Sequence, residues 1–484
     1  MTNKVGVFGS IVDRSFVVNS GGLISAGIVI SAKRGSTELK TITSARQFID
    51  EYGTPSQDNP SMYAALRYLN RAGFLSVRRV VNDAEVATAT MSNATPTVEL
   101  EISASNAGAW GNNLVVNIVT LSNAPAGVFG VQVMESGEQV ELFEVSRNES
   151  AKNGFGKSIY IEDVINTRSR FIRVVDIPNG SATYTAATAS LSGGSDDTVA
   201  PTDAQLTSAW DDFANPEAVE ATFLINGGWT SVSVQQKMES IARIRGVSVA
   251  ILDVPQDTSD DIDAMVEYVK NDLGLDSFYA AIYGGWLRVQ DQYNDRQIVI
   301  PPSGDVVANW VNTIETGEYW SAAMGVENGD IPNVIDTTLR MTEDARTLLY
   351  TNNINPITKI GAANSVIFGQ KTLQAQASGM DRLNVVNNVL NINDKVKRAL
   401  LPYVGRANTA LERDNVNYTV ASYLEGIKRR GGLTDYAVDT SDSINTPDVI
   451  DNNEMLVDVY IQPTRTMEAI NLRLIVTSTG VSLS

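Results

Sequence analysis

The chain predicts a multidomain α+β / α/β protein: a parallel-sheet α/β core, an inserted all-β domain and a C-terminal α+β domain. Three observations carry this reading. Between residues 203 and 300, short apolar runs alternate with amphipathic helical patterns, the signature of strands joined by right-handed crossover helices. Between 84 and 200, Ala, Thr, Ser, Asn and Gly dominate and apolar residues alternate with polar ones. Between 381 and 476, two long helical patterns are followed by strands. A length of 484 residues leaves room for about three domains. The boundaries fall at 1–22 for an extended N-terminal arm, 23–90 plus 200–365 for the core, 91–199 for the protruding β-rich insert, and 366–484 for the C-terminal domain.

The elements follow in order. Residues 1–22 hold short apolar pieces broken by Gly and Ser, with no helical period, and read as an arm with strand-forming patches. Residues 23–30 form a buried strand. Thr43 or Ser44 caps a helix through Tyr52, and Asn59-Pro60 opens another. That helix puts Tyr63, Leu66 and Tyr68/Leu69 on one face, ends at Gly73 and precedes a strand at 76–81. The insert has strands at 98–102, 114–119, 128–133 and 141–145 and closes on a linker-like stretch, 191–197. Strands at 221–225, 247–252 and 278–283 enclose helices at 232–244 and 260–273. The strand at 76–81 joins their sheet if the β region is an insertion. Leu383, Val386, Leu390, Val396 and Leu400 mark one C-terminal helix; Val416, Val420, Tyr423/Leu424 and Ile427 mark the next, which Gly431-Gly432 stops. Strands at 436–438, 455–461 and 469–476 complete the pattern.

Charge and composition narrow the function. Lys and Arg number 37 against 56 Asp and Glu, a net charge of −19, so no general attraction for nucleic acid or anionic membrane is expected. With 0 Cys and 0 His, disulfides, thiolate nucleophiles, His-based triads and Cys/His zinc sites are excluded. What remains for catalysis is carboxylates, Lys, Tyr, Ser/Thr and oxygen-bound metal, which lowers the standing of any enzyme. No signal-type apolar segment is visible and no run approaches ~18 apolar residues, so a soluble protein made in the cytoplasm, with no membrane insertion, is expected. The charge is uneven: residues 1–80 sum to +5 and residues 433–468 to −7. Solvated surface explains this, or oppositely charged ends meet within a chain or between copies.

One motif speaks for nucleotide chemistry. Ala151-Lys-Asn-Gly-Phe-Gly156-Lys157-Ser158 fits a permissive phosphate-binding loop, and 249–253 resembles an apolar strand ending in a Mg²⁺-binding Asp253. Its surroundings speak against it. Residues 158–165 are rich in β-branched and aromatic types, so a strand rather than a helix follows, inside the β insert. A hairpin turn at 151–158 and an ordinary strand end at Asp253 are the plainer reading. Asp257, Asp260, Asp261 and Asp263 lack the Gly and terminal Glu of a calcium loop, and read as acids at a helix start. No cofactor or metal is expected.

The C-terminal third is more specific. Lys428-Arg-Arg-Gly-Gly-Leu433 leads to Asp435-Tyr-Ala-Val438, Asn445-Thr-Pro447, Asn452-Asn-Glu454, the strand at 456–461, and Pro463-x-Arg465-x-x-Glu468-x-Ile470. Upstream stand Trp110-Gly-Asn-Asn-Leu114, Pro301-Pro-Ser-Gly304, Trp320-x-Ala-Ala-x-Gly325 and Phe368-Gly-Gln-Lys-Thr-Leu373. Together these residues resemble contractile phage tail sheath proteins and the sheaths of related contractile injection systems. The arm lacks the Pro-Gly-Val-Tyr start of many members.

The resemblance implies a structural subunit and not an enzyme. It implies a helical homo-oligomer of stacked hexameric rings around an inner tail tube, with baseplate and tail terminator proteins as further partners, in a virion tail. It also implies a C-terminal domain completed by strands from neighbouring subunits, with Val5, Val7, Phe8, Phe16, Val17 and Val18 at one end and Ile470, Leu472, Leu474 and Val476 at the other as the exchanged residues. Lys395, Lys397, Arg398, Lys428, Arg429 and Arg430 are expected to face the tube. Pro463, Arg465 and Glu468 are family-motif positions. A P-loop-type hydrolase or another self-assembling capsid or surface-array protein remains as the alternative.

Overall fold

The computed structural model describes residues 24–92, 98–122, 124–177, 184, 187–359 and 364–469. Val5, Val7, Phe8, Phe16, Val17 and Val18, and Ile470, Leu472, Leu474 and Val476, lie outside them. The chain divides into two compact units, one of residues 23–312 and 323–376, the other containing 313–322 and 377 onward.

The larger unit is built on a nine-stranded sheet. Its central strands are parallel, in the spatial order Ile354–Lys359, Ala280–Gly284, Val249–Asp253, Phe223–Ile225, Ala26–Ser31 and Leu75–Val80. Antiparallel strands flank them, Lys40–Ile42 on one side and Ser365–Ile367 then Asp330–Ile331 on the other. The strand after Leu75 therefore joins the sheet through Ala26–Ser31, and residues 84–200 interrupt an otherwise continuous α/β core. The strands are buried on both faces, as apolar runs without alternation require. Leu224, Ala250, Leu252, Ala280 and Ile282 share one core with Trp210, Val234, Met238 and Ile241 of the helices Asp203–Asp211 and Val232–Arg245. From the next position along the strand, the Tyr283 hydroxyl instead accepts from Trp310 Nε1 at 3.3 Å, on the helix that starts at Ser303.

Local chemistry explains most element ends. Ser44 accepts from Gln47 N and starts Ala45–Tyr52. Thr202 and Gln205 form a capping box. Asp261 accepts from the amides of Asp263 and Ala264, so that acidic stretch is helix capping. Three expectations need correction. The helix Pro60–Leu69 ends at Asn70 rather than Gly73, and Asn59 does not cap it with its side chain; its amide donates to Ser31 O at 3.1 Å. The helix expected over 260–273 is Ile262–Glu267 followed by a π-helical turn, Tyr268–Leu273. The insert is not all-β: residues read as strand form the helix Ile161–Arg168. Its Ile161, Val164 and Ile165 recur at helical spacing and are buried in the insert's own core with Ile102, Val116, Val131 and Val145. Packing of that face outweighs the β preference of the residue types. Around it lie two antiparallel sheets, Thr88–Ser92/Val98–Ala104/Ile172–Asp176 and Thr188–Ser190/Leu114–Val119/Val128–Glu135/Glu138–Ser146.

The smaller unit holds two long helices, Leu383–Leu400 and Ala410–Arg429, a short one, Pro447–Asp451, and an antiparallel pair, Leu433–Asp439 with Asp458–Pro463. Gly431, at φ +88°, lets the chain reverse after the second helix. Ile392, Val420, Leu424, Ile427 and Leu433 form its core, with Trp320, Tyr436, Val459 and Ile461 packed against them.

Candidate assembly surface

Two sites stand out on their chemistry, one buried in the larger unit and one partly exposed in the smaller, and a third loses its claim. The third is the turn at 151–158. Lys152 and Ser158 bridge as an antiparallel pair, Asn153 N donates to Lys157 O, and Gly156 N donates to Asn153 O. A helix does follow, contrary to expectation, yet the turn offers phosphate nothing: the amides of Phe155 and Lys157 both point at Asn153 Oδ1, at 3.0 and 3.1 Å. The nest of free N–H groups that a phosphate loop needs is already occupied by a side chain.

Asp253 is more than a strand end. Its carboxylate is fully buried and accepts from Gly228 N at 3.0 Å, Ser303 N at 2.9 Å and Ser303 Oγ at 2.7 Å. Ser303 Oγ in turn accepts from Gly227 N at 2.9 Å. The motif Pro301–Gly304 is thus where a helix start is pinned to the ends of two parallel strands. The next residue, Gly304, lies so close to the helix Pro60–Leu69 that a Cβ would collide with the Ala64 carbonyl. The sequence Phe368–Leu373 is anchored in the same way: Asn355 accepts from Lys371 N at 2.6 Å and donates to Lys371 O at 2.8 Å and Ile282 O at 3.1 Å. Two sheath-like motifs are therefore framework, holding the sheet's ends together.

Burial pushes Asp253 up to about 7, and the hydrogen bonds from Ser303 and Gly228 only partly oppose it. Its proton affinity is thus higher folded than unfolded. The contribution is fully present below its ordinary range near 3.8 and is lost as pH rises through about 7. Stability of the chain should fall between pH 5 and pH 8 by more than that of Asp253→Asn, whose side chain does not titrate. Denaturant unfolding at the two pH values measures the difference; equal slopes for both proteins would remove Asp253 from the account.

In the smaller unit the motif after the last described strand resolves into a chain of alternating charges. Arg465 Nη1 lies 3.2 Å from Asp381 Oδ1, and Arg465 Nη2 donates to Ser378 O at 3.3 Å. Asp381 Oδ2 lies 3.1 Å from Arg382 Nη1, and Arg382 Nε lies 2.7 Å from Glu468 Oε1. Asp381, Arg382 and Glu468 are each about one-fifth exposed, so these pairs are partly shielded from water and salt. Thr464 Oγ1 adds a bond to Gly431 O at 2.7 Å. Residues 464–468 are thus held along the start of the helix Leu383–Leu400, and Pro463 closes the strand before them. Sequence reasoning misses Asp381 and Arg382. Their only signal is an acid–base pair just before a helix start, which is easily read as capping.

The paired strands have edges without a strand partner among the described residues. Among the described residues Leu433–Asp439 and Asp458–Pro463 pair only with each other, so each keeps one side of backbone donors and acceptors without a strand partner. Two strands alone are marginal in water, and here Leu424 and Ile427 of the helix Ala410–Arg429 share a core with Leu433 and Tyr436 of the first strand. Tyr460 is exposed on the outer face.

The six basic residues do not form one patch. Asn388 Nδ2 donates to Gly432 O at 2.9 Å, which sets the end of one helix beside residue 388 of the other. Lys395 to Arg398 lie seven to ten residues further along that helix, roughly 10–15 Å away. Lys395 is buried, while Lys397 and Arg398 are exposed and Arg398 pairs with Asp394 at 3.0 Å. Lys428, Arg429 and Arg430 already hold Asp435, Glu425 and Glu318 at 2.8, 3.0 and 2.8 Å. The hydrogen bond to Asp435 raises Lys428 above the usual lysine range and Lys428 lowers Asp435.

Comparison with known proteins bears on the fold and on what the chain is similar to. Residues 375–477 match the family model of the phage tail sheath C-terminal domain. A tail sheath protein of Enterobacteria phage T4 is 28% identical over 374 residues, 73% of this chain and 56% of that protein. One of Salmonella phage ViI is 26% identical over 340 residues, 68% of this chain and 51% of that protein. The chain spans about half the length of the curated relatives it matches. Among solved structures, a sheath tail protein of Listeria innocua superposes with a TM-score of 0.63 at 14% identity, over 92% of this chain and 96% of that one. The helical sheath of the anti-feeding prophage in its contracted state gives a TM-score of 0.58 at 14% identity, over 98% and 99%. The mixed α/β fold is that of sheath proteins.

Proposed function

We propose that this chain, similar along 73% of its length to phage tail sheath proteins, is a structural subunit of a contractile tail sheath. It polymerises helically around an inner tail tube and contracts to drive that tube through a target envelope. It does no covalent chemistry and needs no cofactor. The observation that carries the reading is the pair of strand edges that have no strand partner among the described residues, beside the ion-paired segment 464–468. Exposed backbone donors and acceptors invite a strand from another copy, and a head-to-tail contact that does not close on itself makes a filament. The exchanged strands are the arm around Val5–Val18 and the residues from Ile470 to Val476. Stacked hexameric rings, a baseplate and a terminator complete the assembly in the virion, after synthesis in the host cytoplasm. Of the basic residues, Lys397 and Arg398 remain the candidates for facing the tube, because they are exposed.

Negative-stain microscopy of the purified full-length chain tests this: striated tubes are expected, and flat arrays or closed shells would point to a capsid or surface-array protein instead. Lys157→Ala should leave the tubes unchanged. A nucleotide hydrolysis activity that disappears in this variant would overturn the structural reading.

A further inference from the structure

We propose that Lys395 receives Asp13 from the N-terminal arm of a second copy, an ion pair that fixes the register of the exchanged strand. This rests on the strand-exchange reading above and adds one residue on each side of the contact. Its basis is a polar stripe along the helix Leu383–Leu400 that the single chain leaves incomplete. Asn384, Asn388 and Lys395 recur at intervals of four and seven, which sets them in one line on the helix, with Asn387 beside them. All four are more than nine-tenths buried: Asn384 is 1% exposed, Asn387 4%, Asn388 0% and Lys395 7%. The amide nitrogens of Asn384 and Asn388 donate to Trp320 O at 3.1 Å and Gly432 O at 2.9 Å. Their oxygens and the Asn387 nitrogen are buried with no hydrogen-bond partner among the described residues. Lys395 has neither a hydrogen bond nor an ion pair among those residues, and the acid next to it, Asp394, pairs with Arg398 at 3.0 Å.

Buried polar atoms without partners are rare because each costs free energy, and this stripe gathers several. It needs donors for two carbonyl oxygens and an anion for one ammonium group. An extended backbone fits the first need. One turn of helix from Asn384 to Asn388 rises about 6 Å, and alternate amides of a strand lie about 6.6–7 Å apart. Gly432, which Asn388 holds, immediately precedes Leu433–Asp439, a strand with a single strand partner among the described residues. Asp13 fits the second need by elimination: it is the only Asp or Glu in the arm, and residues 470–484 contain none. Lys395 lies about 10 Å along the helix from Asn388, the length of about three extended residues. With Asp13 at Lys395, the two asparagines stand opposite Phe16 and Val18, or Ser10 and Phe8, according to strand direction. A slip of one residue would turn Asp13 to the other face, so a single charge pair selects the register.

Two full-length chains test the pair, one carrying Asp13→Lys and the other Lys395→Asp. Each alone should give roughly tenfold fewer tubes than the parent, by sedimentation and negative-stain microscopy, because like charges meet. Mixed in equal amounts they should recover tubes, since each arm then finds the opposite charge on the other chain. Parent-like tubes from Asp13→Lys alone overturn the pair, and so does a failure to recover both in the mixture and in one chain carrying both substitutions. Recovery in that doubly substituted chain but not in the mixture places the contact within a single chain and overturns the second copy as its source. If Lys395→Asp melts below the parent, Lys395→Gln takes its place: combined with Asp13→Lys in one chain it removes the repulsion and should recover tubes, and no recovery overturns the pair. Deleting residues 1–20 separates this from the reading it rests on. Tubes lost on deletion but kept by Asp13→Lys remove the pair and leave strand exchange standing; tubes kept after deletion remove both.

Discussion

Removing residues 1–20 is expected to leave folded, soluble subunits that no longer form tubes. The arm's apolar residues, Val5, Val7, Phe8, Phe16, Val17 and Val18, come in pieces too short to bury themselves. The smaller unit has strand edges that lack a partner among the described residues. A donated strand of five or six residues adds about five ladder hydrogen bonds at ~1 kcal/mol net each, besides its apolar side chains. Losing ~5 kcal/mol per contact weakens each link by a factor of roughly 10³ to 10⁴, and a helical polymer multiplies that loss along its length. The folded core should be untouched, since its sheet, helices and buried Asp253 network draw on residues from 24 onward. Circular dichroism and thermal melting check the fold; sedimentation and microscopy check assembly. Tubes that persist after truncation would rule out this arm as the exchanged strand.

The core was legible because its signals are local and redundant. Apolar runs at 223–225, 249–253 and 280–284 with amphipathic helices between them leave a parallel sheet as the simple solution. The helix Ile161–Arg168 was not legible: its residue types favour strand, and only the insert's core reveals that Ile161, Val164 and Ile165 need one shared face. The framework role of Asp253 was hidden for a related reason. A carboxylate at a strand end is ordinary until Ser303 and Gly228, fifty and twenty-five positions away, are seen to converge on it. The charge asymmetry also changed meaning. Much of the basic excess of residues 1–80 is neutralised inside its own unit: Lys33, Arg34, Lys40, Arg67 and Arg78 pair with Asp196, Glu135, Glu51, Asp305 and Asp212. Net charge by segment cannot distinguish such internal pairs from a surface that meets another copy. In the C-terminal region the motif positions Arg465 and Glu468 were visible, but their partners Asp381 and Arg382 lie more than eighty residues upstream.

Reversing one charge of that chain, Glu468→Lys, should cost tube formation far more than it costs stability. The pair Arg382–Glu468 is partly exposed, so its loss, with repulsion between the introduced ammonium group and Arg382, lowers unfolding stability by roughly 1–3 kcal/mol. The smaller unit keeps its core of Ile392, Val420, Leu424 and Ile427 and should remain folded. The segment from Thr464 to Glu468 loses its far anchor, however, while Thr464 and Arg465 keep theirs. Under the strand-exchange reading this segment leads into the residues offered to a neighbour, and strand pairing tolerates no slip: a one-residue shift of register turns every side chain to the wrong face. Glu468→Gln, which keeps a hydrogen-bond acceptor, should assemble better than Glu468→Lys. Combining Arg382→Glu with Glu468→Lys should restore tubes in part, because the pair re-forms with its sign exchanged while Asp381 now faces a like charge. Tube yield by sedimentation, set beside melting temperature, separates the outcomes. Normal tubes from Glu468→Lys, or no recovery in a double variant that melts like the parent, would show that the ion pairs stabilise the unit without aligning its exchange.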